Sequence, residues 1–180
     1  TSGEMLGQIY QIQRTTGARV DNIVIMGSGE PLDNYDEFTR FIRMISDENG
    51  LHISRRNITV STCGLVPMIR QLADENYGIT LALSLHAPND ETRKTLMPIA
   101  NKWKIEEILK ACDYYFEKTG RRYYFEYTLI AGRNDSVAAA RQLADVLNRH
   151  LRTRTESMPI HVNLIPVNEV AETGFTRAGD

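Results

Sequence analysis

The chain is poor in the residues and runs that would assign it quickly. It has two cysteines, Cys63 and Cys112, far apart in sequence. That is neither a disulfide framework nor a metal-ligand spacing, and it fits a reducing cytoplasm. No apolar run approaches the length needed to span a membrane, and Thr1 onward does not read as a signal peptide. Charge is nearly balanced, with a formal net charge of −2, so there is no global electrostatic case for nucleic-acid binding, although a local basic patch remains compatible with it. There is no dinucleotide fingerprint G-x-G-x-x-G and no P-loop lysine. No Ser-His-Asp order specific enough to argue a hydrolase is present. No turn dipeptide joins two strand candidates, because Asn49-Gly50 instead ends a helix.

What is present is a globular composition. The 180 residues are 42% hydrophobic and 24% charged, enough for one domain with a real core and no evident linker or repeat. The stretch Asn22-Ile-Val-Ile-Met-Gly-Ser-Gly-Glu-Pro31 organises the rest. Its apolar half reads as a buried strand. Its second half is a glycine-rich tip with a carboxylate, where backbone amides can approach a ligand closely. The same unit of strand, polar tip and helix recurs. A helix with an acid in its first turn runs from Ser2 to near Gly17, and a second covers Tyr35 to Asp47, with Asn34 placed to cap it. Further strands are expected at Asn57–Ser61, Ile79–Leu85, Tyr123–Ile130 and Ile160–Ile165. Helices are expected at Val66–Glu75, after Asn89 or Asp90, at Ile105–Lys118 and at Ser136–His150. Strict alternation implies an α/β fold of parallel strands with right-handed crossovers. In such folds the ligand sits at the carboxyl ends of the strands.

Several residues at those ends carry chemistry. Gly29 and Glu30 offer a close turn and an acceptor, and Ser61 and Ser84 offer hydroxyls near the ends of their strands. His86 directly ends an apolar strand, with no Cys or His partner at metal spacing. Taken singly, each is as well explained by packing or a solvated turn. Cys63 has no neighbouring base or cation in sequence and reads as a quiet thiol, whereas Cys112 lies on the apolar face of its helix. Glu126 falls inside a strand and belongs to a site only if it faces a barrel lumen. The pairs Arg55-Arg56 and Arg121-Arg122, with the arginines of Arg149 to Arg154, are solvated ends or together a phosphate stripe. The polar stretch Gly174 to Asp180 has no evident role.

Four motifs taken together are more specific. Met26-Gly-Ser-Gly-Glu-Pro-Leu-Asp-Asn34, Arg55-Arg-Asn-Ile-Thr-Val-Ser-Thr-Cys-Gly64, Leu83-Ser-Leu-His-Ala-Pro-Asn-Asp90 and Val162-Asn-Leu-Ile-Pro-Val-Asn168 stand in order at strand tips. They resemble the radical-SAM adenine methyltransferases of RNA: the dual-specificity C2-methylating enzymes of 23S rRNA and tRNA, with their C8-methylating resistance relatives. The resemblance runs from about Met5 to Asn168. It implies a partial (β/α) barrel of parallel strands with outer helices, and S-adenosylmethionine and a [4Fe–4S] cluster as cofactors. By resemblance, Gly29 and Glu30 contact the methionine end of S-adenosylmethionine, Ser61 and Ser84-Leu85-His86 make further contacts, and Asn168 holds the cofactor after the last strand. The resemblance also implies RNA partners, an electron donor such as flavodoxin, a cytoplasmic location and no membrane. The family's three-cysteine C-x-x-x-C-x-x-C motif is not in this sequence, nor are its catalytic glutamate and methyl-carrying cysteine. The expectation is therefore a single domain, residues 1–180, forming the middle of a longer enzyme. The cluster ligands and catalytic residues would lie outside it, and the chain would be inactive alone.

Overall fold

In a computed structural model, residues 1–151, 160–168 and 174–179 are described. Five strands form one all-parallel sheet in the order β1-β2-β3-β4-β5. They are β1 Ile23–Ile25, β2 Ile58–Thr62, β3 Thr80–Ser84, β4 Tyr123–Leu129 and β5 Val162–Pro166. The intervening helices are α1 Ser2–Thr16, α2 Tyr35–Ser46, α3 Val66–Glu75, α4 Asp90–Leu96, α5 Ile105–Thr119 and α6 Val137–Leu151. Because strands follow one another in spatial as well as chain order, the sheet curls into a half-barrel with helices outside, as expected from the alternation.

The strands alternate between two environments. Ile58 and Val60 of β2, Leu81 and Leu83 of β3 and Phe125 of β4 are fully buried. They pack under the helices against Phe38, Ile42 and Ile45 of α2, Ile69 and Leu72 of α3, and Ile108 and Cys112 of α5. The register places Ser84 beside Glu126 and Glu126 beside Asn163, and it places Ser61 beside Ala82. Since partners in a parallel sheet share a face, these small and polar residues line the concave side, the barrel lumen. A parallel sheet buried by helices on both faces shows continuous apolar strands. Here the polar half of the alternation marks a lumen open to a ligand.

The apolar stretch expected to be a buried strand is instead an edge strand among the described residues: Val24 on β1 and Met26 just past its end are 56% and 55% exposed. They border an open groove between α1 and β1. α1 is set by a capping box, in which the Thr1 hydroxyl accepts from the Glu4 N–H and the Glu4 carboxylate answers the N-terminus.

Two local expectations are corrected. Asn34 sits at the N-cap of α2 but makes no side-chain cap bond, because Pro31–Asn34 already form a 3₁₀ turn that leads straight into the helix. The stretch after Gly174 does make contact: Ala131 N–H donates to Thr176 C=O at 3.0 Å, and Ile130 and Arg177 form an antiparallel bridge beyond the β4 tip. Backbone groups just past a strand end need partners, and this segment supplies them.

Candidate cofactor site

The carboxyl ends of β1 to β5 surround a cavity of about 290 Å³. Gly29, Glu30, Ser61, Ser84 and His86 line it, with Cys63, Met97, Glu126, Thr128 and Ile165. The topology thus brings five of the seven residues singled out from the sequence to one place. The other two differ. The Leu85 side chain is fully buried in the core, and its N–H already donates to Glu126 C=O at 3.0 Å. Asn168 is exposed past the end of β5 and does not line the cavity.

The tip of β1 turns sharply at Gly29, whose φ of 99° is left-handed backbone that favours glycine. That turn aims Glu30 inward and across to β2. Its Oε2 accepts the Cys63 N–H at 2.7 Å and its Oε1 accepts the Leu32 N–H at 3.0 Å. A carboxylate has about four lone-pair sites, so acceptor capacity remains for a ligand. The hydroxyls of Ser61 and Ser84 lie 3.4 Å apart on neighbouring strands. Glu126, 4% exposed, faces the lumen and accepts from the Asn163 amide at 2.9 Å.

His86 is held in a defined state. Its Nδ1 accepts the Thr128 N–H at 3.0 Å, which leaves the proton on Nε2. Burial, reinforced by the Arg93 guanidinium, lowers its pKa to about 4. The ring is therefore neutral at pH 7 and acts as a donor, not a cation.

Cys63 behaves in the opposite sense to a reactive thiol. Burial, and then a hydrogen bond to Glu30, push it up to about 12. In the thiol form it is a poor nucleophile, and neither it nor the buried Cys112 belongs to a metal-binding group among the described residues. Iodoacetamide at pH 8 is expected to alkylate Cys63 on the order of a hundredfold more slowly than glutathione, the smaller thiolate fraction being partly offset by higher intrinsic nucleophilicity. Peptide mass spectrometry over a time course checks this. Labelling at the glutathione rate would show that the thiol is ionised and the site open.

Two residues that support the tips carry no signal in the sequence. Arg93, on α4, is fully buried. Its Nε donates to Leu85 C=O at 3.2 Å, and its Nη2 donates to Cys63 C=O at 2.7 Å and Ser84 C=O at 3.1 Å. Asn134, 2% exposed, grips the tips of β3 and β4.

The basic pairs lie elsewhere. Arg55-Arg56 precede β2 and Arg121-Arg122 precede β4, so both sit at the amino ends of the strands, opposite the cavity. Arg121 is employed there in closing the sheet bottom, donating to Ile79 C=O at 3.4 Å, Arg56 C=O at 3.3 Å and the Thr80 hydroxyl at 3.1 Å. Arg152 and Arg154 lie outside the described residues.

A parallel half-barrel whose polar site lies at its strand tips defines a class of cofactor-binding βα proteins, and comparison narrows it. Residues 6–144 match the Radical SAM superfamily, and the chain belongs to that family. It is 56% identical over 177 residues to a protein of Lachnoclostridium phytofermentans named a probable dual-specificity RNA methyltransferase RlmN; the match covers 98% of this chain and 48% of that one. A Clostridium botulinum protein of the same name is 51% identical over 178 residues, covering 99% and 50%. The crystal structure of a radical SAM methyltransferase from Sphaerobacter thermophilus superimposes with a TM-score of 0.89 at 44% identity, covering 99% of this chain and 51% of that one. The chain spans about half the length of the relatives it matches.

The family's cofactors are S-adenosylmethionine and a [4Fe–4S] cluster. The cavity's donor set fits the first. Glu30 and Glu126 suit an amino group or hydroxyls, and the His86 Nε2–H and the serine hydroxyls suit a carboxylate or ribose. The chain's own thiols do not fit the second, since such a cluster is held by several Cys thiolates and only Cys63 and the buried Cys112 are available.

Proposed function

We propose that this chain is the central, S-adenosylmethionine-binding part of a longer RNA methyltransferase that modifies C2 of an adenine in 23S rRNA and tRNA. The convergence of Gly29, Glu30, Ser61, Ser84 and His86 on one strand-tip cavity carries the reading. The methyltransferase names of its relatives support the reaction class. S-adenosylmethionine bound next to a [4Fe–4S] cluster supplies the methyl group and the radical chemistry. Glu30 accepts from the cofactor's amino group, the His86 Nε2–H donates to its carboxylate or ribose, and Ser61 and Ser84 fix its remaining polar edge. Asn168, which does not line the cavity, would meet the cofactor only at its outer edge, from beyond the end of β5. The backbone of Leu85 shapes the tip that carries His86. The half-barrel keeps water from this face. The cluster thiolates come from outside these 180 residues, which are inactive alone. An electron donor such as flavodoxin completes the system, which works in the cytoplasm. Among the described residues no helix is long and apolar enough to cross a membrane.

RNA approaches the carboxyl ends of the strands, where the target adenine must be exposed or flipped to reach the cofactor. The arginine pairs lie at the amino ends of the strands, on the opposite side of the sheet from that mouth.

Nucleoside mass spectrometry of rRNA and tRNA tests the reading, in cells lacking their own adenine methyltransferase and supplied with the full-length protein. We expect 2-methyladenosine in both RNAs. Dominant 8-methyladenosine would make the protein a resistance-type relative. Neither product, with an intact cluster, would end the RNA methyltransferase assignment.

A further inference from the structure

We propose that Asn134 is a positioning residue for the strand-tip cavity, acting through His86, whose ring it holds with the Nε2–H presented to the ligand. The inference rests on reading that cavity as the S-adenosylmethionine site.

β3 leaves the ladder just after Ser84. Leu85 N–H and His86 N–H both converge on Glu126 C=O, at 3.0 and 3.3 Å. His86 then adopts a left-handed backbone, φ 56°. For a residue with a bulky side chain this conformation is sparsely populated, and it persists where its surroundings hold it. Besides the Glu126 carbonyl and Arg93, which hold the residues before it, those surroundings include one buried carboxamide. Asn134 Nδ2 donates to His86 C=O and to Thr128 C=O, each at 2.7 Å. Its Oδ1 accepts the Ile130 N–H at 2.8 Å. Its own main-chain carbonyl accepts the Tyr127 hydroxyl at 2.9 Å, which anchors the loop that carries it.

Both amide hydrogens and the amide oxygen are thus committed, and only one orientation of the carboxamide satisfies them. Thr128 is gripped from two sides: Asn134 takes its carbonyl, and its N–H donates to His86 Nδ1 at 3.0 Å. The same side chain therefore fixes the backbone that carries the ring and, through the carbonyl of Thr128, the residue whose N–H selects its tautomer. Losing it lets the ring turn. A turned ring offers a lone pair where the ligand's carboxylate or ribose oxygen needs a proton.

A tie that merely stabilised the loop would not act through His86, and a double-mutant cycle separates the two roles. The full-length protein with its cluster in place is titrated calorimetrically with S-adenosylmethionine, as wild type, Asn134→Ala, His86→Ala and the double variant. Each single variant is expected to bind about tenfold more weakly, roughly the loss of one hydrogen bond to a charged or polar ligand group. The double variant is expected to bind no more weakly than His86→Ala. Asn134→Ser, which keeps a small donor, replaces alanine in the cycle if Asn134→Ala does not fold. Wild-type affinity in the Asn134 variant overturns the positioning role. So do losses that multiply to about a hundredfold in the double variant, which is what independent sites give. Failure of both Asn134 variants to fold would make the residue structural and overturn the proposal too. A wild type that binds no S-adenosylmethionine at all instead overturns the cofactor reading on which it rests.

Discussion

Arg93→Met is expected to destabilise the protein by about 3 kcal/mol, roughly one for each of the three carbonyls it leaves without a donor. Leu85, Cys63 and Ser84 present these carbonyls at the tips of β2 and β3, and Arg93 is fully buried among them. Its Nη1 has no hydrogen-bond partner among the described residues. Burying this cation is itself costly: its pKa is lowered by burial. Removing it gives back part of that cost, which is why a flexible apolar side chain of similar length is the fair comparison. Three orphaned carbonyls outweigh the relief. Arg93→Lys is expected to recover less than half the loss, because an ammonium cannot reproduce a planar fork that meets three acceptors. For a chain of this size the methionine variant should melt about 6–12 °C lower, and urea denaturation should show a matching shift of midpoint. A methionine variant as stable as wild type would mean that water satisfies the tips and the clamp is dispensable.

Arg93 also marks where reading from the sequence stops. Asp90-Glu-Thr-Arg93 reads as a short charged helix in solvent, and nothing local distinguishes the one arginine that turns inward. Its burial is decided by helix α4 crossing the tips of two strands, a tertiary fact. The same holds for Asn134, hidden in a polar loop. By contrast the strand tips were legible as the ligand end, because helix and strand alternate strictly along the chain. Which strand residues face the lumen was not, since Ser61 and Glu126 fit packing or solvent equally well until the register set Glu126 between Ser84 and Asn163. The strand order also fixes where the arginine pairs lie. Residues that precede strands in a parallel sheet all lie at its amino end. Arg55-Arg56 and Arg121-Arg122 could therefore have been excluded from the mouth without coordinates. The idle reading of the stretch after Gly174 failed for a different reason: main-chain pairing with Ala131 and Ile130 leaves no mark in side-chain pattern.

Glu30→Ala is expected to weaken S-adenosylmethionine binding by about a hundredfold in the cluster-loaded full-length protein, since a charge-assisted contact to an ammonium contributes on the order of 1.5–3 kcal/mol. Its second expected effect is a loss of stability of about 2 kcal/mol, because the Leu32 and Cys63 N–H groups lose their acceptors. The two effects have separate readouts, calorimetric titration and urea midpoint, and their pairing is informative. Glu30 staples the tip of β1 to that of β2 through one carboxylate, so a stability loss follows whatever ligand is bound. A variant that loses stability but keeps its affinity would reduce Glu30 to that staple. Glu30→Gln sharpens the distinction. Its single carbonyl oxygen can accept only one of the two N–H groups, and the amide nitrogen must then face the other donor, with the negative charge gone as well. It should therefore approach alanine in affinity and lie between alanine and wild type in stability. A glutamine variant that binds like wild type would show that shape alone, without charge, recognises the cofactor's methionine end. The carboxylate would then owe its place to the Leu32 and Cys63 amides.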